Sequence, residues 1–239
     1  KDRQGDLLAR IKGVRRKFAQ DVGFLPPAVH IRDNLELKPS TYRITLRGAV
    51  IGEAECFPGM FLAINPGHAS APLLGTQTTD PAFGLPAVWI EERQKESAQM
   101  AGFTVVDSST VVATHLSHLM QVHAAKLLGR AETHQLVEHV TKLAPKLMED
   151  VVPKMVSVAT LQKVLQLLLE ESVHIRDMRT IVEALAEHGT VTDPSELAQR
   201  IRVSLAPAIV QQIYGPVKEL DVIAIEPELE RLITQALTS

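Results

Sequence analysis

At 239 residues and 45% hydrophobic content, the chain can bury substantial cores and holds one to two ordinary domains or several small subdomains, which argues against intrinsic disorder. Its 25 Lys and Arg against 28 Asp and Glu leave a formal charge of −3, so there is no overall electrostatic footprint for nucleic acid or an anionic bilayer, and the expected bulk partner is another protein. A single cysteine, Cys56, excludes an internal disulfide and a four-cysteine zinc site, no run reaches the ~20 apolar residues of a membrane-spanning helix, and the N-terminus has no signal-peptide pattern, so the chain reads as soluble.

Leu7, Ile11, Val14, Phe18 and Val22 fall in one narrow arc at helical spacing while Lys12, Arg16 and Lys17 point elsewhere. This predicts an amphipathic helix over 6–22, ended by Gly23. Lys1, Arg3, Arg10, Lys12, Arg15, Arg16 and Lys17 make it the only basic cluster, a solvated face or a contact for an acidic partner or membrane surface. Pro26-Pro27 fixes an extended approach to Val29-His30-Ile31. Tyr42 to Leu46 alternates like a half-buried strand, with Val50 to Glu55 as its hairpin partner and Cys56 as a small half-buried residue beside it.

Pro58-Gly59 opens a Gly- and Pro-rich segment to about Gly102, read as an insertion with a loop from Asn65 to Leu85. Helix Glu91 to Ala101 closes it, and strand Phe103 to Val106 is expected to return to the first sheet. Asp107 or Ser108 then caps a helix running to about Leu128. Beyond Gly129 the pattern is helical, over 131–143, 146–151, 158–171, 177–187 and 194–205, with Asp193-Pro194-Ser195-Glu196 as a capping box. A strand over Leu220 to Ile225 and a helix over Pro227 to Leu237 begin a second α/β piece.

The fold class is therefore α/β plus helical and multi-subdomain. A first α/β subdomain (1–58 and 103–128) is split around an inserted one (59–102), followed by a helical subdomain (129–207) and a partial C-terminal α/β subdomain (208–239).

The search for chemistry is negative. Among the nine histidines, His115, His118 and His123 are the tightest group, but on a helix His123 falls roughly 80° to the other side of His115, with no carboxylate between. His134 and His139, five apart, miss zinc-helix spacing. There is no Gly-x-Ser-x-Gly elbow, the glycines are too far apart to cradle phosphate, and Asp107-Ser108-Ser109 is explained by capping. We assign no catalytic, cofactor-binding or metal-binding residue. The bottom-up alternative is a winged-helix-type nucleic-acid-binding regulatory module in 177–205, with Arg176, Arg179, Arg200 and Arg202 on phosphates, although Glu183, Glu187, Asp193 and Glu196 dilute its field.

A docking surface fits better. Phe83, Leu85 and Trp89 lie in a stretch braced by Pro66, Pro72, Pro81 and Pro86, and a stiff loop loses less entropy when a partner arrives. Phe83 is the candidate anchor beside a shallow groove, Thr114 offers a methyl and a hydroxyl from the neighbouring helix, Asp80 is a rim charge, and Trp89 is core. A partner helix would lay its apolar side there.

Thr79-Asp80-Pro81-Ala82-Phe83-Gly84, Val88-Trp89-Ile90-Glu91 and the run from Gly102-Phe103-Thr104 to Ala113-Thr114-His115-Leu116 resemble the FHIPEP family of type III secretion export-gate proteins. So do Phe24-Leu25-Pro26-Pro27, Leu62-Ala63-Ile64-Asn65-Pro66-Gly67 and Val173-His174-Ile175-Arg176-Asp177, and the Asp-Pro-Ala-Phe-Gly block looks closer to the flagellar branch than to the injectisome one. The resemblance implies a four-subdomain cytoplasmic region beneath a multi-span membrane half, at the cytoplasmic face of the bacterial inner membrane. It implies a dimple that receives flagellar export chaperones with filament-type substrates, at Asp80, Phe83 and Thr114, bordered by Pro66. It further implies contacts with other export-apparatus proteins, a ring of nine copies, no nucleotide or metal, and no membrane contact needed by this segment. The last subdomain looks incomplete, so the segment alone is expected to be a monomer or weak oligomer.

Overall fold

The computed structural model describes residues 2–69, 72–217 and 219–238. They fall into two compact units, Lys1–Ser204 and Leu205–Ser239.

Helix α1 (Asp2–Val22) buries Ile11, Phe18 and Val22, the apolar arc read from spacing. Gly23 ends it at φ +112°, and a side chain there would lie 2.5 Å from the Arg176 backbone nitrogen. The close approach is fixed by the Ile175 N–H donating to the Val22 carbonyl at 2.9 Å, and Phe18 meets Phe24 edge-on at 5.2 Å. The basic face is partly engaged: Arg10 pairs with Asp6 and Asp107, Lys17 pairs with Asp21, and Arg15 donates to the Pro26 carbonyl.

Strands β1 (Thr41–Leu46) and β2 (Ala49–Glu55) form an antiparallel hairpin. Arg47 and Gly48, at φ +51° and +84°, supply the left-handed pair that a tight primed turn takes. The second sheet is antiparallel in the order β4-β5-β3-β6, from β3 (Phe61–Ile64), β4 (Thr76–Thr79), β5 (Pro86–Ile90) and β6 (Thr104–Asp107). Two expectations are corrected here. Strand β6 pairs with β3 and does not rejoin the β1–β2 hairpin. Apolar alternation marks a strand without naming its neighbour, and the pairing carries the second sheet across the 102/103 boundary. Strand β4 lies inside the stretch read as loop, because Thr-Gln-Thr-Thr is a polar edge strand with no apolar alternation to reveal it.

Both faces of this sheet are covered. Ala63, Val88, Ile90, Ala98 and Phe103 cluster on one side, with Ala98 from α2 (Lys95–Met100), which follows a 3₁₀ turn at Glu92–Gln94. Leu62, Ala87, Trp89 and Val111 cluster on the other, with Val111 from α3 (Ser108–Val122). Trp89 is a core residue, 1% exposed and edge-on to Phe57. Asp107 caps α3 by accepting from the Thr110 N–H at 2.9 Å and its hydroxyl at 2.8 Å.

The helix expected to run to Leu128 breaks at His123, and α4 (Ala124–Leu127) follows. Helices α5 (Arg130–Leu143), α6 (Pro145–Val151), α7 (Val158–Glu170), α8 (Met178–Glu187) and α9 (Pro194–Ser204) pack around Leu161, Leu165, Leu168, Ile181, Leu185 and Ile201. Asp193 accepts from the Glu196 N–H at 2.9 Å, but Glu196 turns to Arg200, so the capping box is half made. In the second unit α10 (Ala206–Tyr214) and α11 (Pro227–Thr238) are helical. The strand expected over Leu220 to Ile225 is absent among the described residues, since alternation becomes a strand only through a hydrogen-bonded neighbour.

Candidate functional site

The connection between β4 and β5 is closed by its own backbone. The Asp80 N–H donates to the Leu85 carbonyl at 2.8 Å, and the Gly84 N–H donates to the Asp80 carbonyl at 2.9 Å. Gly84 takes φ +71°, which a residue without a β-carbon adopts without strain. The Asp80 carboxylate then accepts from the Phe83 N–H at 2.7 Å, fastening the turn from inside. Asp80 is 3% exposed, which corrects its reading as a rim charge. A buried carboxylate must be paired, and the turn amide is its partner.

Phe83, at the tip, is 64% exposed. Its ring lies edge-on to His118 of α3, with centroids 5.8 Å apart and planes at 68°. Thr114 is half-buried one helical turn before His118, on the same flank of α3. Pro66 is exposed in the turn after β3, where the Asn65 N–H donates to the Pro86 carbonyl at 2.8 Å and the Asn65 side chain accepts from Gly67 and Ala69. The fold thus ties Asp80 to Phe83 by a hydrogen bond, Phe83 to the Thr114 helix through His118, and Pro66 to the start of β5 through Asn65.

Beneath this flank the β1–β2 hairpin holds α3 in place. The Tyr42 hydroxyl lies 2.8 Å from His115 Nδ1, with the rings edge-on at 5.7 Å. Gly52 has no room for a side chain, since a β-carbon would stand 2.5 Å from Leu119 and 2.9 Å from the His115 ring. Burial holds the His115 imidazole below its ordinary range, helped by the neighbouring His118 and opposed by Asp80. Burial likewise raises the Tyr42 phenol, with Cys56 and Asp80 acting in the same direction. Cys56, its thiol 3.6 Å from the Ser108 carbonyl, is pushed up by burial as well and is a poor nucleophile.

Sequence reasoning weighed His115, His118 and His123 only as a metal group, which it set aside, and missed the separate placements of His115, against Tyr42, and His118, beside Phe83. The signal available was the spacing of Thr114 and His118, four apart on one helix face. On the helical side, Arg179 pairs with Glu183, Arg200 with Glu196 and Arg202 with Glu171, so three of the arginines proposed for phosphate already face carboxylates. No helix among the described residues is long and apolar enough to cross a membrane.

The arrangement is an exposed aromatic on a fastened turn. The FHIPEP family model matches residues 1–239. The chain belongs to the FHIPEP family. Its FHIPEP relatives include the flagellar biosynthesis protein FlhA of Escherichia coli, 56% identical over 234 residues, or 98% of this chain and 34% of that protein. FlhA of Bacillus subtilis is 40% identical over 234 residues, or 98% of this chain and 35% of the relative. The chain thus spans about a third of the length of these FHIPEP relatives.

Among solved structures, CdsV of Chlamydia pneumoniae is similar with a TM-score of 0.80 and 26% identity, over 94% of this chain and 66% of that one. The nonameric EPEC SctV-C matches with a TM-score of 0.65 over 98% of this chain and 78% of that one, and at 19% identity it speaks to the fold alone. The chain is therefore a mixed α/β member of the FHIPEP family that shares the fold of CdsV.

Proposed function

We propose that this segment is the docking platform of a flagellar type III export gate, binding export chaperones loaded with filament-type substrates and passing cargo to the membrane channel. The observation that carries the reading is the exposure of Phe83 on a turn held from within by Asp80. An aromatic side chain kept in solvent at the cost of its own burial, on a backbone that cannot slacken, is suited to be an anchor for an incoming apolar helix face. Phe83 makes the central contact, Thr114 and Pro66 flank it, and Asp80 acts from below by shaping the turn. The family relationship supports the export-gate role, because the FlhA relatives of Escherichia coli and Bacillus subtilis are named for flagellar biosynthesis.

In this reading the segment belongs to a membrane-anchored parent at the cytoplasmic face of the bacterial inner membrane and works in a ring of copies. The nonameric SctV-C and the structure of CdsV in complex with CdsO support assembly and partner binding as habits of this fold. The segment binds and hands over, with no catalytic step of its own. The test is calorimetric titration of a cargo-loaded flagellar export chaperone into the wild-type chain and Phe83→Ala. We expect the variant to lose about 2 kcal/mol or more, roughly thirtyfold in affinity, while its thermal unfolding stays within about 0.5 kcal/mol of wild type, as for an exposed site. Equal affinities would refute the docking role.

A further inference from the structure

Phe83 is fastened at its backbone, yet a ring on an exposed tip would still sample rotamers, and a partner would have to arrest it on binding. The side chain that meets this ring is His118, half-buried on α3 and edge-on, the geometry that aromatic rings prefer over a stacked sandwich. The helix beneath is itself held by the Tyr42–His115 hydrogen bond and the close seat of Gly52. Of the two imidazoles on this stretch of α3, His115 is buried with Nδ1 taken up by the Tyr42 hydroxyl, whereas His118 is half-buried beside Phe83.

We propose that His118 is a positioning and specificity residue of the docking surface. It holds the Phe83 ring upright and offers an imidazole nitrogen to a polar side chain of the arriving helix. The preferred partner is then an amphipathic helix that sets an apolar residue over Phe83 with a hydrogen-bonding residue about one turn away, since Thr114 and His118 are themselves one turn apart. This rests on the docking reading above and names a residue it did not contain.

The test uses wild type, Phe83→Ala, His118→Ala and His118→Phe, each titrated with the same cargo-loaded export chaperone. His118→Ala should lower affinity roughly threefold to tenfold, the range of an aromatic pair contact. His118→Phe, which keeps a ring edge against Phe83 and loses the nitrogens, should recover part of that loss. The Phe83 ring-proton shifts, followed by NMR without partner, should move in His118→Ala. They report the contact directly and serve for any variant whose thermal unfolding departs from wild type. Wild-type affinity in His118→Ala beside weak binding in Phe83→Ala overturns the role of His118 and leaves the docking surface standing. Wild-type affinity in both variants overturns the docking surface itself. A His118→Phe variant as weak as His118→Ala overturns the ring-positioning role, and unmoved Phe83 shifts do the same.

Discussion

The carboxylate of Asp80 lies 2.7 Å from the backbone nitrogen of Phe83, three residues on, and is sealed from solvent while the Phe83 ring is open to it. The two residues therefore divide one task. The acid sets the backbone, and the aromatic meets the partner.

Asp80→Ala should in consequence act through the fold as well as through binding. It strands the Phe83 amide and loses a charge-assisted hydrogen bond, a cost of about 1–3 kcal/mol. Thermal unfolding should fall by roughly 2–4 °C per kcal/mol for a chain of this size. Chaperone affinity should fall with it, because the turn slackens. Asp80→Asn, which keeps an acceptor oxygen, should retain most of both. An Asp80→Ala variant with unchanged unfolding would contradict the fastening role.

Stability should depend on pH through His115. Its folded-state pKa lies below the ordinary value of 6.5 because of burial, so below that value the unfolded chain binds the proton more readily. The stabilising contribution is complete above about pH 6.5 and is lost as pH falls toward the depressed folded value. His123 and His174, also shifted down by burial, act in the same direction. A resolved NMR titration of the His115 ring isolates its share. A midpoint at or above that of an unfolded histidine would contradict the buried arrangement.

Gly52→Ala should destabilise the hairpin against α3. The added methyl meets Leu119 and the His115 ring well inside contact distance, and overpacking of this kind costs about 1–3 kcal/mol. Denaturant unfolding with an unchanged m-value and a lower midpoint is the expected result. A midpoint equal to wild type would show that the hairpin shifts freely.

Retention on a heparin or DNA column should be weak and lost at low salt. The net charge is −3, and Arg179, Arg200 and Arg202 are paired with carboxylates. Strong retention with a steep salt dependence would revive a nucleic-acid role.

Most helices were legible in the sequence because they carry their own signals: the Ile11, Phe18, Val22 arc of α1, the Asp107 cap of α3 and the Asp193 cap of α9 are all local. The loop bearing Phe83 was legible from its prolines and aromatic. Strand β4 was not, since four polar residues at a sheet edge have no apolar period to announce them.

By itself the sequence determined most of the helical segments, though not α10, where most of them stop, and that an aromatic loop rather than a reactive constellation is the feature to explain. Tertiary structure alone decided that β6 joins β3, that Asp80 is buried under its own turn, and that the Phe83 ring stands against His118. The physical reason is range. Periodicity and capping act within a few residues of the chain, whereas sheet partners, burial and ring contacts join residues brought together only when the chain packs.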